Sequence, residues 1–259
     1  MFINNHICYV KFHKASNSKA NLIILHGMGE SSHDYLHLVT FFQNLDYNVI
    51  IYDHIGHGKS GGKRGDISHF SLWIDNLKHI VNFVKTKNSL KIFLIGHSMG
   101  GVIINNYVIK HNNVDGVIIS ATPTIFCSLT KYLRYPFYFF NWKKIKLNFN
   151  SKKIIHNSLK QNYFPYRLDY VTPRFLRNLL FLSISFLQKK IKSYVTPILC
   201  LYGLQDKIVR YDNGSYLIKN ILSKDKNLIL YQKSYHNLFH DIEKDKILID
   251  IYLWLEQRK

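Results

Sequence analysis

Short unbroken apolar runs alternate with longer amphipathic stretches along most of the chain. Residues 21–25, 47–52, 91–95, 114–120, 196–202 and 227–231 are dense in Ile, Leu and Val and bounded by Gly, Asp or Asn. Apolar residues at consecutive rather than alternate positions suit strands buried on both faces of a parallel sheet. Between these runs, residues 33–44, 68–87, 99–111, 213–221 and 241–257 read as helices. In the last of them Ile242, Leu248, Ile249, Tyr252 and Leu253 predict the buried face. Residues 9–12 predict an antiparallel edge strand. Strand–helix alternation of this kind specifies an open α/β sheet, with ligands at the carboxyl edge of its strands.

The alternation stops between Pro123 and Tyr194. That stretch carries fourteen Lys or Arg residues against a single acid, Asp169, and an aromatic cluster of Tyr132, Tyr135, Phe137, Tyr138, Phe139, Phe140 and Trp142. The organisation expected is a core made of residues 1–122 and 195–259, with 123–194 inserted as a basic, aromatic-rich helical cap above the sheet edge. Such a lid would shape an acyl pocket, and its basic face fits an anionic membrane surface.

The chemistry centres on Gly96-His97-Ser98-Met99-Gly100, directly after the run Ile92–Ile95 and before an apolar helix. G-x-S-x-G between strand and helix is a nucleophile elbow, a tight turn that presents the serine hydroxyl at the sheet edge. A serine nucleophile needs a base, a group that orients the base, and donors for the developing oxyanion. In this architecture the partners follow in the order acid, then histidine, each just beyond a strand. Asp206, after 196–202, and His236, after 227–231, occupy those places, with His240 a rival base one turn later. The N–H groups of Met99 and of Met28, in the loop His26-Gly27-Met28-Gly29, are the expected oxyanion donors.

Composition changes this picture little. The balance of 35 Lys+Arg against 16 Asp+Glu gives a net charge of +19. The basic residues follow no nucleic-acid-binding motif, so no nucleic-acid partner is expected. The three cysteines are widely separated and lack metal spacing, which reads as reduced, mostly buried thiols of a cytosolic protein. The amino terminus lacks the n- and h-regions of a signal peptide, and the most apolar stretch, 179–187, is too short to span a bilayer. A cytoplasmic protein is therefore expected, its basic cap either simply solvated or in peripheral contact with an anionic membrane. The segment Asp53-His54-Ile55-Gly56-His57-Gly58-Lys59-Ser60 does not have zinc spacing and reads as a structural loop.

Five segments together resemble the monoacylglycerol lipase and lysophospholipase branch of the α/β-hydrolases, grouped with serine aminopeptidase-like hydrolases. They are His26–Glu30, Asp53–Ser60, Gly96–Gly101, Gly203–Asp206 and Tyr235–Asp241, and they run from about residue 20 to the C-terminus. The resemblance implies an α/β-hydrolase fold, a mostly parallel central sheet flanked by helices, with a helical cap inserted after the sixth strand. It also implies hydrolysis of one acyl ester of a monoacylglycerol or lysophospholipid, without cofactor or metal. Ser98 would attack, His236 would take the proton and Asp206 would orient the imidazole; Glu30 matches a family acid near the head group. Asp34 departs from the branch, whose lipase members often carry arginine there. Thioesterase, acyltransferase or peptidase-like chemistry, or a non-catalytic lipid-binding role, are the alternatives. The sequence does not specify the oligomeric state.

Overall fold

The computed structural model describes residues 1–3, 6–134, 143–149, 154–156 and 165–259. At the amino terminus β1 (Phe2–Ile3) and β2 (His6–Ile7) form a small antiparallel ribbon. The central sheet is built from β3 (Val10–His13), β4 (Ala20–Leu25), β5 (Tyr47–Tyr52), β6 (Ile92–His97), β7 (Gly116–Ser120), β10 (Ile198–Gly203) and β11 (Lys226–Tyr231). Its order is β11-β10-β7-β6-β4-β5-β3, parallel throughout except for β3, which pairs antiparallel with β5 at the edge. β4 lies between β5 and β6, so the strand order reverses there and opens a crevice beyond the carboxyl ends of β4 and β6. Together these features define an α/β-hydrolase fold.

Both faces of the sheet are covered, which is why its strands read as continuous apolar runs. Leu22 and Ile24 of β4 pack with α1 (Leu36–Gln43) and α8 (Lys244–Glu256) on one face. Ile23 and Leu25 face α2 (Ser71–Lys85) and α3 (Met99–His111) on the other. The expected strands and helices are present to within a few residues. The buried face of α8 differs from expectation. Ile247, Leu248, Ile251, Trp254 and Leu255 point inward, whereas Ile242, Ile249 and Leu253 are exposed. Trp254 sets that rotation, its ring meeting Phe93 of β6 at 6.1 Å.

The resemblance places the insertion after the sixth strand; in the central sheet it follows the fifth, β7. β1 and β2 form a separate ribbon and are not counted in that sheet. Between β7 and β10 the described residues contribute no strand to the central sheet. They form α4 (Thr130–Leu133), the ribbon of β8 (Ile145–Lys146) with β9 (Tyr170–Val171), and α5 (Pro173–Arg177). A π-helical stretch, Asn178–Leu182, then leads into α6 (Ser183–Lys190). Thr172 caps α5 by accepting from the Phe175 N–H, and Pro173 occupies the first turn, where no backbone donor is needed. Asp66 of the core receives the Thr172 hydroxyl and the Arg174 guanidinium. Most of the aromatic cluster (Tyr135, Phe137 to Phe140, Trp142) lies outside the described residues. Among the described residues no helix is long and apolar enough to cross a membrane.

A short α7 (Asp212–Asn220) joins β10 to β11. Cys8 and Cys200 are buried, and burial pushes the Cys8 thiol up to about 11. Cys127 departs from the expected burial: it is exposed.

Candidate active site

β6 ends at His97 and α3 begins at Met99, leaving Ser98 alone in the turn with φ 49° and ψ −110°. A non-glycine residue is strained there. The turn closes only because its neighbours lack side chains. A Cβ on Gly96 would lie 2.6 Å from the Gly100 carbonyl carbon, and one on Gly100 would collide with the Leu25 carbonyl of β4. The Ser98 N–H donates to the Ser120 carbonyl at 2.8 Å, which ties the elbow to β7.

Asp206 sits in the turn after β10. Its Oδ1 accepts from the N–H groups of Ile208 (2.7 Å) and Val209 (2.9 Å), which leaves Oδ2 to accept from His236 Nδ1 at 2.8 Å. That bond assigns the tautomer and turns the unprotonated Nε2 toward Ser98 Oγ, 3.2 Å away. The loop after β11 reaches Asp206 because Gly203 offers no Cβ to the Ser234 carbonyl. Burial opposes the charged form of His236. The Asp206 carboxylate, by its charge and its hydrogen bond, and then Glu30, outweigh burial and raise the pKa above the ordinary 6.5. The structure thus brings Ser98, His236 and Asp206 together. The rival histidine is elsewhere engaged: the His240 ring packs on His37 and Tyr35.

Met99 is the first residue of α3, so its N–H has no intrahelical acceptor. Met28 lines the cavity beside Ser98, in a turn closed by the Glu30 N–H and the Gly27 carbonyl. Glu30 also lines the cavity but is committed to this loop. Its Oε2 accepts from the Gly27 N–H (2.8 Å) and the Tyr35 hydroxyl (2.6 Å), and Oε1 from Asn237 Nδ2 (3.4 Å). Burial works against its charge, yet His97, Arg167 and the Tyr35 hydroxyl prevail and hold the carboxyl well below its usual range. Burial takes the neighbouring His97 imidazole down to about 4. Asp53 braces the loop from β5, its carboxylate accepting from the N–H groups of Ser32 and Lys59, each at 2.7 Å.

The cavity above Ser98 encloses about 570 Å³. Its walls are largely apolar, with Leu147, Phe149, Leu179, Leu180 and Ile184 all from the insertion. Leu147 and Phe149 did not stand out in the sequence, because short irregular segments leave no periodicity to read; Leu179, Leu180 and Ile184 belong to the apolar stretch 179–187. Arg167, whose Nε lies 3.1 Å from Asp34 Oδ2, was equally hidden as one basic residue among the insertion's fourteen. Asn237 could have been found, since it follows His236 directly.

The fold and this constellation define a serine hydrolase of the α/β-hydrolase class. Residues 16–243 match the family described as "Serine aminopeptidase, S33", and the chain belongs to that family. The human monoglyceride lipase is 27% identical over 254 residues, covering 93% of this chain and 83% of that protein. Among solved structures, a soluble variant of the Saccharomyces cerevisiae monoglyceride lipase in complex with a substrate analogue superposes with a TM-score of 0.85 at 22% identity, covering 97% of this chain and 92% of that one. The Paleococcus ferrophilus monoacylglycerol lipase gives 0.83 at 22% identity, covering 98% and 100%. Both likenesses speak for the fold.

Proposed function

We propose that this chain hydrolyses the acyl ester of a single-chain lipid, a monoacylglycerol in preference to a lysophospholipid, through a Ser98–His236–Asp206 triad and an acyl-enzyme. The observation that carries this reading is the continuous hydrogen-bonded chain from Asp206 through His236 to Ser98, opening onto an apolar cavity. In the proposed cycle Ser98 Oγ attacks the ester carbonyl while His236 Nε2 takes its proton. The carbonyl oxygen, now anionic, is met by the Met28 and Met99 N–H groups. Collapse releases the alcohol, which takes the proton back from His236. Water, deprotonated in turn by His236, then frees the fatty acid. Residues 123–194 act as the cap, with the acyl chain against Leu147, Leu179 and Leu180.

Two observations support a neutral glycerol head group. Glu30 is buried, ionised and exposed to the cavity, so a phosphate beside it is repelled while a hydroxyl can donate to it. The likeness to the human monoglyceride lipase, over 93% of this chain and 83% of that protein, points the same way. Phe126 and Leu129 line the cavity and are also 44% and 41% exposed, so they stand at its mouth. With Lys131 and Arg134 nearby in the chain, this rim is the surface by which the cap rests on an anionic membrane.

The test is hydrolysis of monoacylglycerols, lysophosphatidylcholine and short p-nitrophenyl esters by the wild type and by Ser98→Ala. Monoacylglycerol turnover that vanishes in Ser98→Ala is the expected result. Cleavage confined to activated short esters would remove the lipid assignment, and activity surviving in Ser98→Ala would remove the mechanism.

A further inference from the structure

The loop that carries Met28 is held from two sides. On the core side its anchors are Tyr35, Asn237 and the Gly27 N–H, all on Glu30. On the insertion side, the Leu168 N–H donates to the Gly29 carbonyl at 2.7 Å. Gly29 (φ 76°) has no Cβ, and Leu147 and Phe149 occupy the space one would need. Arg167 stacks on Phe149 with its guanidinium carbon 4.6 Å from the ring centre, and its Nε meets Asp34. Asp34 Oδ2 also accepts from the Ser31 N–H at 3.2 Å, so the carboxylate that holds Arg167 also caps the turn following Glu30.

This pair is buried, with the side chain of Asp34 0% and that of Arg167 11% exposed. Burial and Glu30 push the Asp34 carboxyl up to about 7, against the downward pull of Arg167. The same guanidinium also stabilises the Glu30 carboxylate. One cation from the insertion therefore serves two buried acids of the core. A buried charge that loses its partner is strongly destabilising, whereas removing both partners is nearly neutral. A stranded Asp34 is relieved by taking up a proton or by movement of the loop that carries it, and either weakens its hold on the Ser31 N–H.

We infer that Arg167 is a positioning residue for the Met28 N–H: by placing its guanidinium on Asp34, the insertion fixes the loop that completes the site beneath it. The inference rests on the Ser98 and Met28 roles proposed above. It makes the seating of the insertion a condition for transition-state stabilisation, in addition to its enclosing an acyl chain.

The experiment compares Arg167→Met, Arg167→Lys, Asp34→Asn and Arg167→Met/Asp34→Asn on p-nitrophenyl butyrate, a soluble ester too short to depend on the acyl pocket. Complete loss of an oxyanion donor lowers kcat about 10²–10³-fold, so a loosened one in Arg167→Met should lower kcat by about 10-fold or more, with KM changed less than about threefold. The double variant, which leaves no stranded charge at position 34 and keeps Glu30 on Gly27, Tyr35 and Asn237, should recover most of that loss, and Arg167→Lys part of it. A kcat in Arg167→Met within about threefold of wild type overturns the inference, because transition-state stabilisation would then be intact. So does an equal loss in the single and double variants when both melt cooperatively. If Arg167→Met does not fold, the double variant decides: near-wild-type kcat supports the inference, and an inactive folded protein overturns it. Ser98→Ala is run alongside; if it retains activity, the underlying reading has failed, and if it is dead, a negative result falls on Arg167 alone.

Discussion

The left-handed backbone of Ser98 survives because Gly96 and Gly100 allow β6, α3 and β4 to approach within van der Waals distance. Gly100→Ala forces a methyl into the Leu25 carbonyl, and neither backbone segment can yield without disturbing the sheet. Overpacking of this kind costs about 1–3 kcal/mol, seen as a fall in the thermal midpoint of roughly 2–4 °C per kcal/mol for a chain of this size. Activity should fall with it, since the strained serine moves. His236 gives a second prediction at this scale. Its pKa is raised above 6.5 by Asp206, and the proposed base works only when neutral. The acid limb of kcat/KM should therefore have its midpoint above pH 6.5, and Asp206→Asn should shift that midpoint down while lowering kcat by about 10⁴. For stability the sign is opposite. The raised pKa adds stability that is fully present below pH 6.5 and lost as pH rises through the folded value, so this residue is least stabilising where it is most active.

At the scale of elements, the π-helical stretch Asn178–Leu182 interrupts the α5–α6 run and brings Leu179 and Leu180 to the cavity wall; the Ser183 hydroxyl takes up the Asn178 carbonyl at 2.8 Å. Leu180→Trp should fill the cavity and lower kcat/KM for long acyl chains by about 10-fold or more, the cost of overpacking a pocket, while sparing acetyl and butyryl esters. A ladder of p-nitrophenyl esters reads this directly; equal loss at every length would instead mean a disturbed elbow. What was legible in the sequence follows from burial. β4 to β7, covered on both faces, betrayed themselves as apolar runs, and Ser98, Asp206 and His236 follow strands whose ends could be counted. On α8 the apolar residues run round more than one face, so the pattern alone does not choose between Ile249 and Leu253, which are exposed, and Ile251 and Trp254, which are buried. The insertion was legible only as a break in rhythm, because its short elements are held by particular contacts such as Arg174 on Asp66, which carry no periodic signature.

Considered whole, the molecule buries an unusual number of neutral imidazoles. Burial holds His26, His54, His57 and His97 below the ordinary 6.5. The unfolded chain takes up protons there below pH 6.5 and the folded chain does not, so stability falls as pH drops, by up to about 1.4 kcal/mol per pH unit for each. His37 and His240 are lowered as well, while His236 and Asp34, whose pKa values are raised, work in the opposite direction. Denaturant unfolding should show stability lower at pH 5 than at pH 7 by at least ~3 kcal/mol, and a flat profile would mean these rings are protonated inside the fold. The net charge of +19 adds a second expectation: vesicle binding should need anionic lipid and weaken steeply with salt, because the attraction decays over a Debye length of about 10 Å at 0.1 M.

The position of the insertion also governs how the chain is born. β3 to β7 leave the ribosome first and can pair among themselves, but β10, the neighbour that covers β7, begins only at Ile198. At about 5–20 residues per second, translation of residues 121–197 takes roughly 4–15 s. For that interval Gly116–Ser120 presents an unsatisfied, apolar parallel edge, an invitation to mispair. The segment that shelters the finished site thus delays the sealing of the sheet beneath it, and yield on expression should depend on chaperone supply and translation speed more than the stability of the finished protein suggests.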